Sequence, residues 1–151
     1  MPAHPLVGTW NLVSYIVMNE EGVKIAEPFG PSPRGMLIYT ENGFMSGHIM
    51  SANRTQWRSS LPRKASSEEK VLAFDTYLSY CGTYEQDGDR VTHHVMTSLY
   101  PNWVGTDQVR MVQLDGNLLT LSAHSATSNG RTRTVQITWH RFELATENQE
   151  P

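Results

Sequence analysis

The stretch that decides the fold runs Tyr80-Cys81-Gly82-Thr83-Tyr84-Glu85-Gln86-Asp87-Gly88-Asp89-Arg90-Val91-Thr92-His93-His94-Val95. Two arms rich in β-branched and aromatic residues flank Asp87-Gly88. Glycine takes positive φ at no steric cost and aspartate tolerates it, so the pair marks a tight hairpin turn. The same kind of signal recurs at Glu21-Gly22, Asn42-Gly43, Asp115-Gly116 and Asn129-Gly130. Between these turns lie segments rich in Val, Ile, Thr, Leu and aromatics, predicted as strands at about 8–17, 23–27, 35–40, 44–50, 81–86, 89–99, 104–114, 117–124 and 131–142. Turns at short spacing with little helical periodicity predict an all-β antiparallel barrel or sandwich.

One segment departs from this pattern. Ser66 with Glu69 three residues on makes a capping box, and Val71, Phe74, Leu78 and Cys81 follow at helical spacing. A helix is predicted over about 67–80. Residues 51–65 before it show no period and carry four basic side chains. A connection of that length is either mobile or a lid over a site.

The 151 residues suit one domain, with the barrel over about 5–142 and a flexible tail at 143–151. A net charge of −3 lacks the basic excess of a nucleic-acid binder. No apolar run approaches the ~20 residues of a membrane span. The first residues, Met1 to Leu6, lack the character of a signal peptide. The lone cysteine, Cys81, excludes an intrachain disulfide. These features predict a soluble, cytoplasmic protein.

Hairpin register sorts the faces, because partners across a ladder point to the same side. About Asp115-Gly116, Arg110 falls opposite Leu121 on an apolar face, so its side chain is predicted to point inward. About Asp87-Gly88, Tyr84 pairs with Val91 and Gly82 with His93, which favours His93 as the inward member of the His93-His94 pair. About Asn42-Gly43, the apolar face is Met36, Ile38, Met45 and Ile49, leaving His48 with Tyr39 and Phe44 on a mixed one. Val135, Ile137 and Trp139 alternate inward on the last strand. An inward arginine is costly unless paired or hydrogen-bonded. Arg110 is therefore either an internal salt bridge or aromatic stack, or a donor to a ligand oxygen.

Gly8-Thr9-Trp10 at the start and Trp139-His140-Arg141 at the end resemble the lipocalin and calycin barrel plan. More specific are Gly35-Met36-Leu37-Ile38-Tyr39-Thr40, Gly43-Phe44-Met45-Ser46, Tyr80-Cys81-Gly82-Thr83-Tyr84, Val91-Thr92-His93-His94-Val95 and Pro101-Asn102-Trp103-Val104-Gly105-Thr106-Asp107-Gln108. Together they are similar to the lipocalin-like domain family of small bacterial and fungal proteins. That resemblance implies an up-and-down lipocalin-like barrel of about eight to nine strands with a ligand pocket, the early tryptophan closing one end beneath a late arginine. Some lipocalin-like proteins belong to natural-product pathways and act there as cofactor-free cyclases, isomerases or dehydratases. One departure is Met96, since the family pattern often has an acidic residue after His-His-Val. A base at that position is missing here.

His93 and His94 point to opposite faces of a strand and cannot chelate one ion, and no His-x-His or His-x-x-x-His spacing exists, so no metal is expected. Cys81 reads as a small hydrophobe, and no nucleophile elbow or phosphate loop is present. Acid–base chemistry without a cofactor survives: His93 or His94 as base, Tyr80 or Tyr84 as proton donor, Arg110 as oxyanion stabiliser. His48, Trp57, Trp103, Met36, Met45, Phe74 and Leu121 are the candidate ligand contacts. With the resemblance, the expected function is a cofactor-independent isomerase, cyclase or dehydratase acting on a small hydrophobic polyketide- or terpenoid-like intermediate. The alternative is a non-catalytic carrier of such a molecule. The expected partner is that ligand, with no nucleic acid and no membrane, and a homodimer is left open.

Overall fold

The computed structural model describes residues 4–127 and 129–143, so all but the first residue of the expected tail lies outside the described residues. Among the described residues nine strands form one antiparallel sheet: β1 (Gly8–Met18), β2 (Lys24–Ala26), β3 (Arg34–Tyr39), β4 (Phe44–Met50), β5 (Tyr77–Asp87), β6 (Arg90–Ser98), β7 (Asp107–Asp115), β8 (Leu118–Ala126) and β9 (Thr132–Arg141). Each strand from β3 onward pairs with the next, and β1 bonds both β3 and β9. That double pairing closes eight strands into a barrel, with β2 added against the far end of β1. Closure removes the unpaired edges that an open sheet would expose. No described helix is long and apolar enough to cross a membrane.

The helix is shorter than predicted. α1 (Ser67–Asp75) starts at the capping box, where the Ser66 side chain accepts from the Glu69 N–H and the Glu69 carboxylate from the Ser66 N–H. It ends at Thr76, and residues 77–80 belong to β5, where Met50 faces Tyr77 and Tyr80 lies between Gly47 and Ser98. The β-prone run Tyr77-Leu78-Ser79-Tyr80 pairs with β4 along its whole length and meets β6 at Tyr80, which one more helical turn could not match. The apolar spacing that suggested a longer helix is split between two elements. α1 buries none of its residues. Residues 51–65 run beside it: Arg54 donates to Thr76 Oγ1 and to the Ala73 carbonyl, both at 3.1 Å, and the Arg58 N–H donates to Glu69 Oε2 at 3.1 Å.

Loop length decides which side chains enter the barrel. Asp87 pairs with Arg90 and Asp115 with Leu118, so the two-residue loops are Gly88-Asp89 and Gly116-Asn117, with the glycines first at φ of +60° and +59°. The expected loops sit one residue earlier. The correction moves each partner by two positions, to Tyr84 opposite His93 and Val112 opposite Leu121, and leaves every side chain on its expected face. The β3–β4 loop behaves differently. Residues 41–43 form it, Thr40 donating to the Phe44 carbonyl at 2.9 Å. An odd loop reverses one strand, so Leu37 and Tyr39 are buried, whereas Met36 and Ile38 point outward, contrary to expectation.

Two bulges switch alternation within strands. Leu12 faces Trp139 and Ser14 faces Thr138, making Val13 the extra residue; Trp10 and Leu12 are buried before it, and Tyr15 turns inward after it. On β6, Met96 is skipped between Val95, which faces Gly82, and Thr97, which faces Cys81, and it is 59% exposed. The β5 backbone comes so close there that a Cβ on Gly82 would lie 1.9 Å from the His94 carbonyl oxygen. Trp10 and Leu6 plug one end, the Trp10 indole donating to the Leu6 carbonyl at 3.0 Å beneath Arg141, as the resemblance implied.

Candidate functional site

A cavity of about 290 Å³ occupies the other half of the barrel. This is the small end of ligand pockets, which run from roughly 300 to 1,000 Å³. Its walls are mainly aliphatic, with Leu37, Met45, Ile49, Leu121, Val135 and Ile137 prominent. His124 and Ser125, exposed members of the lining, mark where it reaches solvent. They lie on β8 at the end remote from Leu118, so the mouth is opposite the Trp10 plug.

His93 anchors the polar part. It is 1% exposed, with Nε2 2.6 Å from the Tyr39 hydroxyl and Nδ1 2.6 Å from that of Tyr80. Burial, helped by the charge of Arg110 and then of His94, pushes its pKa down to about 3, so the ring is neutral. A neutral imidazole carries one N–H. Tyr39 is 1% exposed and, among the described residues, its hydroxyl meets only His93. The arrangement that strands no buried hydrogen has Tyr39 donating to Nε2 and the Nδ1–H donating to Tyr80. The Tyr80 hydrogen is then free to point into the cavity, which Tyr80 lines. Burial raises the Tyr80 pKa to about 12, so that hydroxyl stays protonated.

Arg110 lines the cavity as expected, yet it is neither in an internal salt bridge nor stacked on a described aromatic ring. Its Nη1 donates to the Val109 carbonyl at 2.9 Å and its Nη2 to Gln108 Oε1 at 3.3 Å. Trp139, 2% exposed, also lines the cavity, while its indole N–H is buried away from that space and has no partner among the described residues. Trp103 sits in a 3-10 turn, Pro101–Trp103, edge-on to Tyr80 at 5.7 Å.

Of the predicted site residues, the structure brings Tyr80, His93, Arg110, Trp103, Met45 and Leu121 together around the cavity. It separates the others. His94 faces outward between Asp107 at 2.7 Å and Glu85 at 3.1 Å; those hydrogen bonds, Asp107 first, raise its pKa. Tyr84 is buried but spends its hydroxyl on the Thr40 carbonyl at 2.9 Å. His48 lies outside, against Ser46 at 3.0 Å and Tyr77 at 2.9 Å. Met36 points outward with its reversed strand. Trp57 and Phe74 share a surface groove beside α1, and residues 51–65 contribute nothing to the cavity lining. Sequence reasoning missed Tyr15, hidden by the bulge at Val13, and His124, a strand-end residue that reaches the mouth. Gln108 was legible, since it shares the face of Arg110 two residues on. Trp139 was placed inward, as the structure has it, without a role at the site.

A closed antiparallel barrel around one apolar cavity, with hydrogen-bond donors set into its wall, defines a small-ligand-binding barrel of the lipocalin type. The chain belongs to the lipocalin-like domain family, whose model matches residues 7–142. It is similar to the 4'-hydroxy-3'-methoxypropiophenone carrier protein of Aspergillus oryzae, 32% identical in an alignment of 111 positions that covers 68% of this chain and 100% of that relative.

Proposed function

We propose that the protein is a carrier that holds a small, oxygen-bearing aromatic molecule of the aryl ketone class in the barrel and releases it unchanged. The observation that carries this reading is that both ring nitrogens of His93 are occupied by tyrosines. A general base needs a free lone pair within reach of the substrate and a pKa near the working pH. His93 has neither, and His94 faces solvent. What the cavity offers is a pair of donors, from Tyr80 and Arg110, suited to hold ligand oxygens. The relative's name supports both the carrier role and the ligand class. This reading takes precedence over the cofactor-free isomerase, cyclase or dehydratase. The single cysteine fits a reducing compartment such as the cytoplasm.

The test is to titrate the protein with 4'-hydroxy-3'-methoxypropiophenone, following quenching of tryptophan fluorescence, and then to recover the ligand and analyse it. Saturable binding with quantitative recovery is the expected result. Protein-dependent conversion that disappears in Tyr80→Phe would return the enzyme reading to first place.

A further inference from the structure

We propose that the cavity takes its ligand as a monoanion, an organic oxyanion on an apolar ring such as the phenolate of a para-acylphenol. This rests on the carrier reading above and adds the charge state that reading leaves open. Arg110 is the basis. Its guanidinium is always charged. Among the described residues no carboxylate lies within salt-bridge distance of it, and its two acceptors, Val109 O and Gln108 Oε1, are neutral. Arg110 is half-buried, and a cation on the wall of an apolar cavity with no counter-charge offers an incoming anion charge-assisted hydrogen bonds.

No residue of the wall supplies that anion. The titratable groups around the cavity are Tyr15 on β1, Tyr80 on β5, His93 on β6 and His124 on β8, with Tyr39 on β3 behind His93; none is a carboxylate. The field of Arg110 favours ionisation of Tyr15, Tyr39 and Tyr80, but burial outweighs it at each and keeps the hydroxyls protonated. Tyr80 can therefore donate its free hydrogen to a ligand oxyanion beside Arg110.

A para-acylphenolate spreads its charge between the phenolate oxygen and the ketone oxygen, so it presents a strong acceptor at each end. When the neutral phenol binds, its proton leaves to the solvent.

The test compares three probes at several pH values: 4'-hydroxy-3'-methoxypropiophenone, its O-methyl ether, which cannot ionise, and para-ethylbenzoate. Phenolate absorbs at longer wavelength than phenol, so the ionisation of the bound ligand is read directly. The bound phenol is expected to ionise at least one pH unit below the free one, which makes the phenolate about tenfold or more tighter than the phenol. Arg110→Gln abolishes that shift, and Arg110→Lys retains part of it. Arg110-dependent binding of the benzoate with no phenol shift supports the same anion site with a carboxylate as its source. Equal affinity for all three probes overturns the proposal and leaves the carrier reading standing. Absence of saturable binding by any of them overturns both.

Discussion

The guanidinium carbon of Arg141 sits 4.2 Å from the centroid of the Trp10 ring, joining the last strand of the barrel to the first. The same guanidinium donates to the Val7 carbonyl at 2.8 Å and the Pro5 carbonyl at 3.0 Å, so it also ties down the segment leading into β1. Arg141→Ala removes a stack and two charge-assisted bonds and is expected to cost about 2–4 kcal/mol. Arg141→Lys recovers less than half of that, because an ammonium cannot stack flat and span two carbonyls together. Urea unfolding measures both. An unchanged midpoint for Arg141→Ala would show that this end needs no clasp.

The Tyr39–His93–Tyr80 chain fixes one tautomer. Nitrogen-15 spectra of the histidine rings should show His93 protonated on Nδ1 and bare on Nε2, unchanged across pH 5 to about 8. Tyr80→Phe leaves the Nδ1–H unmet and should cost about 1–3 kcal/mol. Tyr39→Phe removes the donor to Nε2 and should let the tautomers mix. Protonation on Nε2 in the wild type would reverse the chain and turn the Tyr80 hydrogen away from the cavity.

Stability should depend on pH with opposite signs from two adjacent histidines. The native pKa of His93 is about 3 and an unfolded histidine titrates near 6.5. Between those values the unfolded chain binds a proton that the native state does not. Stability is therefore lost as pH falls from about 6.5 toward 3, at ~1.4 kcal/mol per unit. His93→Gln removes that slope. His94 is raised by Asp107 and Glu85, so its contribution is full below about pH 6.5 and is lost as pH climbs through its higher native value. His94→Gln removes the alkaline decline and leaves the acid one. Chemical denaturation between about pH 5 and 8.5 separates them, since Glu69, lowered chiefly by the Ser66 N–H, adds its loss only at lower pH.

Gly82→Ala should be far worse than Gly88→Ala. The first puts a methyl group on the His94 carbonyl and forces the β5–β6 bulge apart beside Tyr80 and His93. The second meets no atom within 4 Å and bears only the strain of a positive φ. We expect about 2–4 kcal/mol for Gly82→Ala, with weakened ligand binding, against about 1 for Gly88→Ala. Comparable losses would mean that the bulge is not needed to place the polar cluster.

How much of this was readable depends on how each residue gets its direction. Arg110, His93 and Leu121 were legible because their hairpins have two-residue loops, and misplacing such a loop by one residue moves partners without turning faces. Met36 and Ile38 were misread because a three-residue loop reverses one strand, a difference that Asn42-Gly43 does not announce. Tyr15 was invisible for a related reason, since nothing in Leu12-Val13-Ser14 signals a bulge. Trp57 and Phe74 lay beyond pattern altogether: their surroundings are set by how 51–65 folds back on α1, a tertiary choice without periodicity. The lone N–H of Trp139 could not be foreseen, since an unmet donor is a property of the finished packing.

The shared pairing of β1 with β3 and β9 closes the barrel, the β1–β3 ladder running from Gly8 to Asn11 at the plugged end. A ligand in the cavity would enter and leave lengthwise, past Trp103 and His124, where the lining reaches solvent. Residence time is then governed by side-chain rotations at that rim and not by strands parting. On the carrier reading proposed above, a recipient would meet the barrel head-on at that end, while the end clasped by Arg141 serves as a fixed floor.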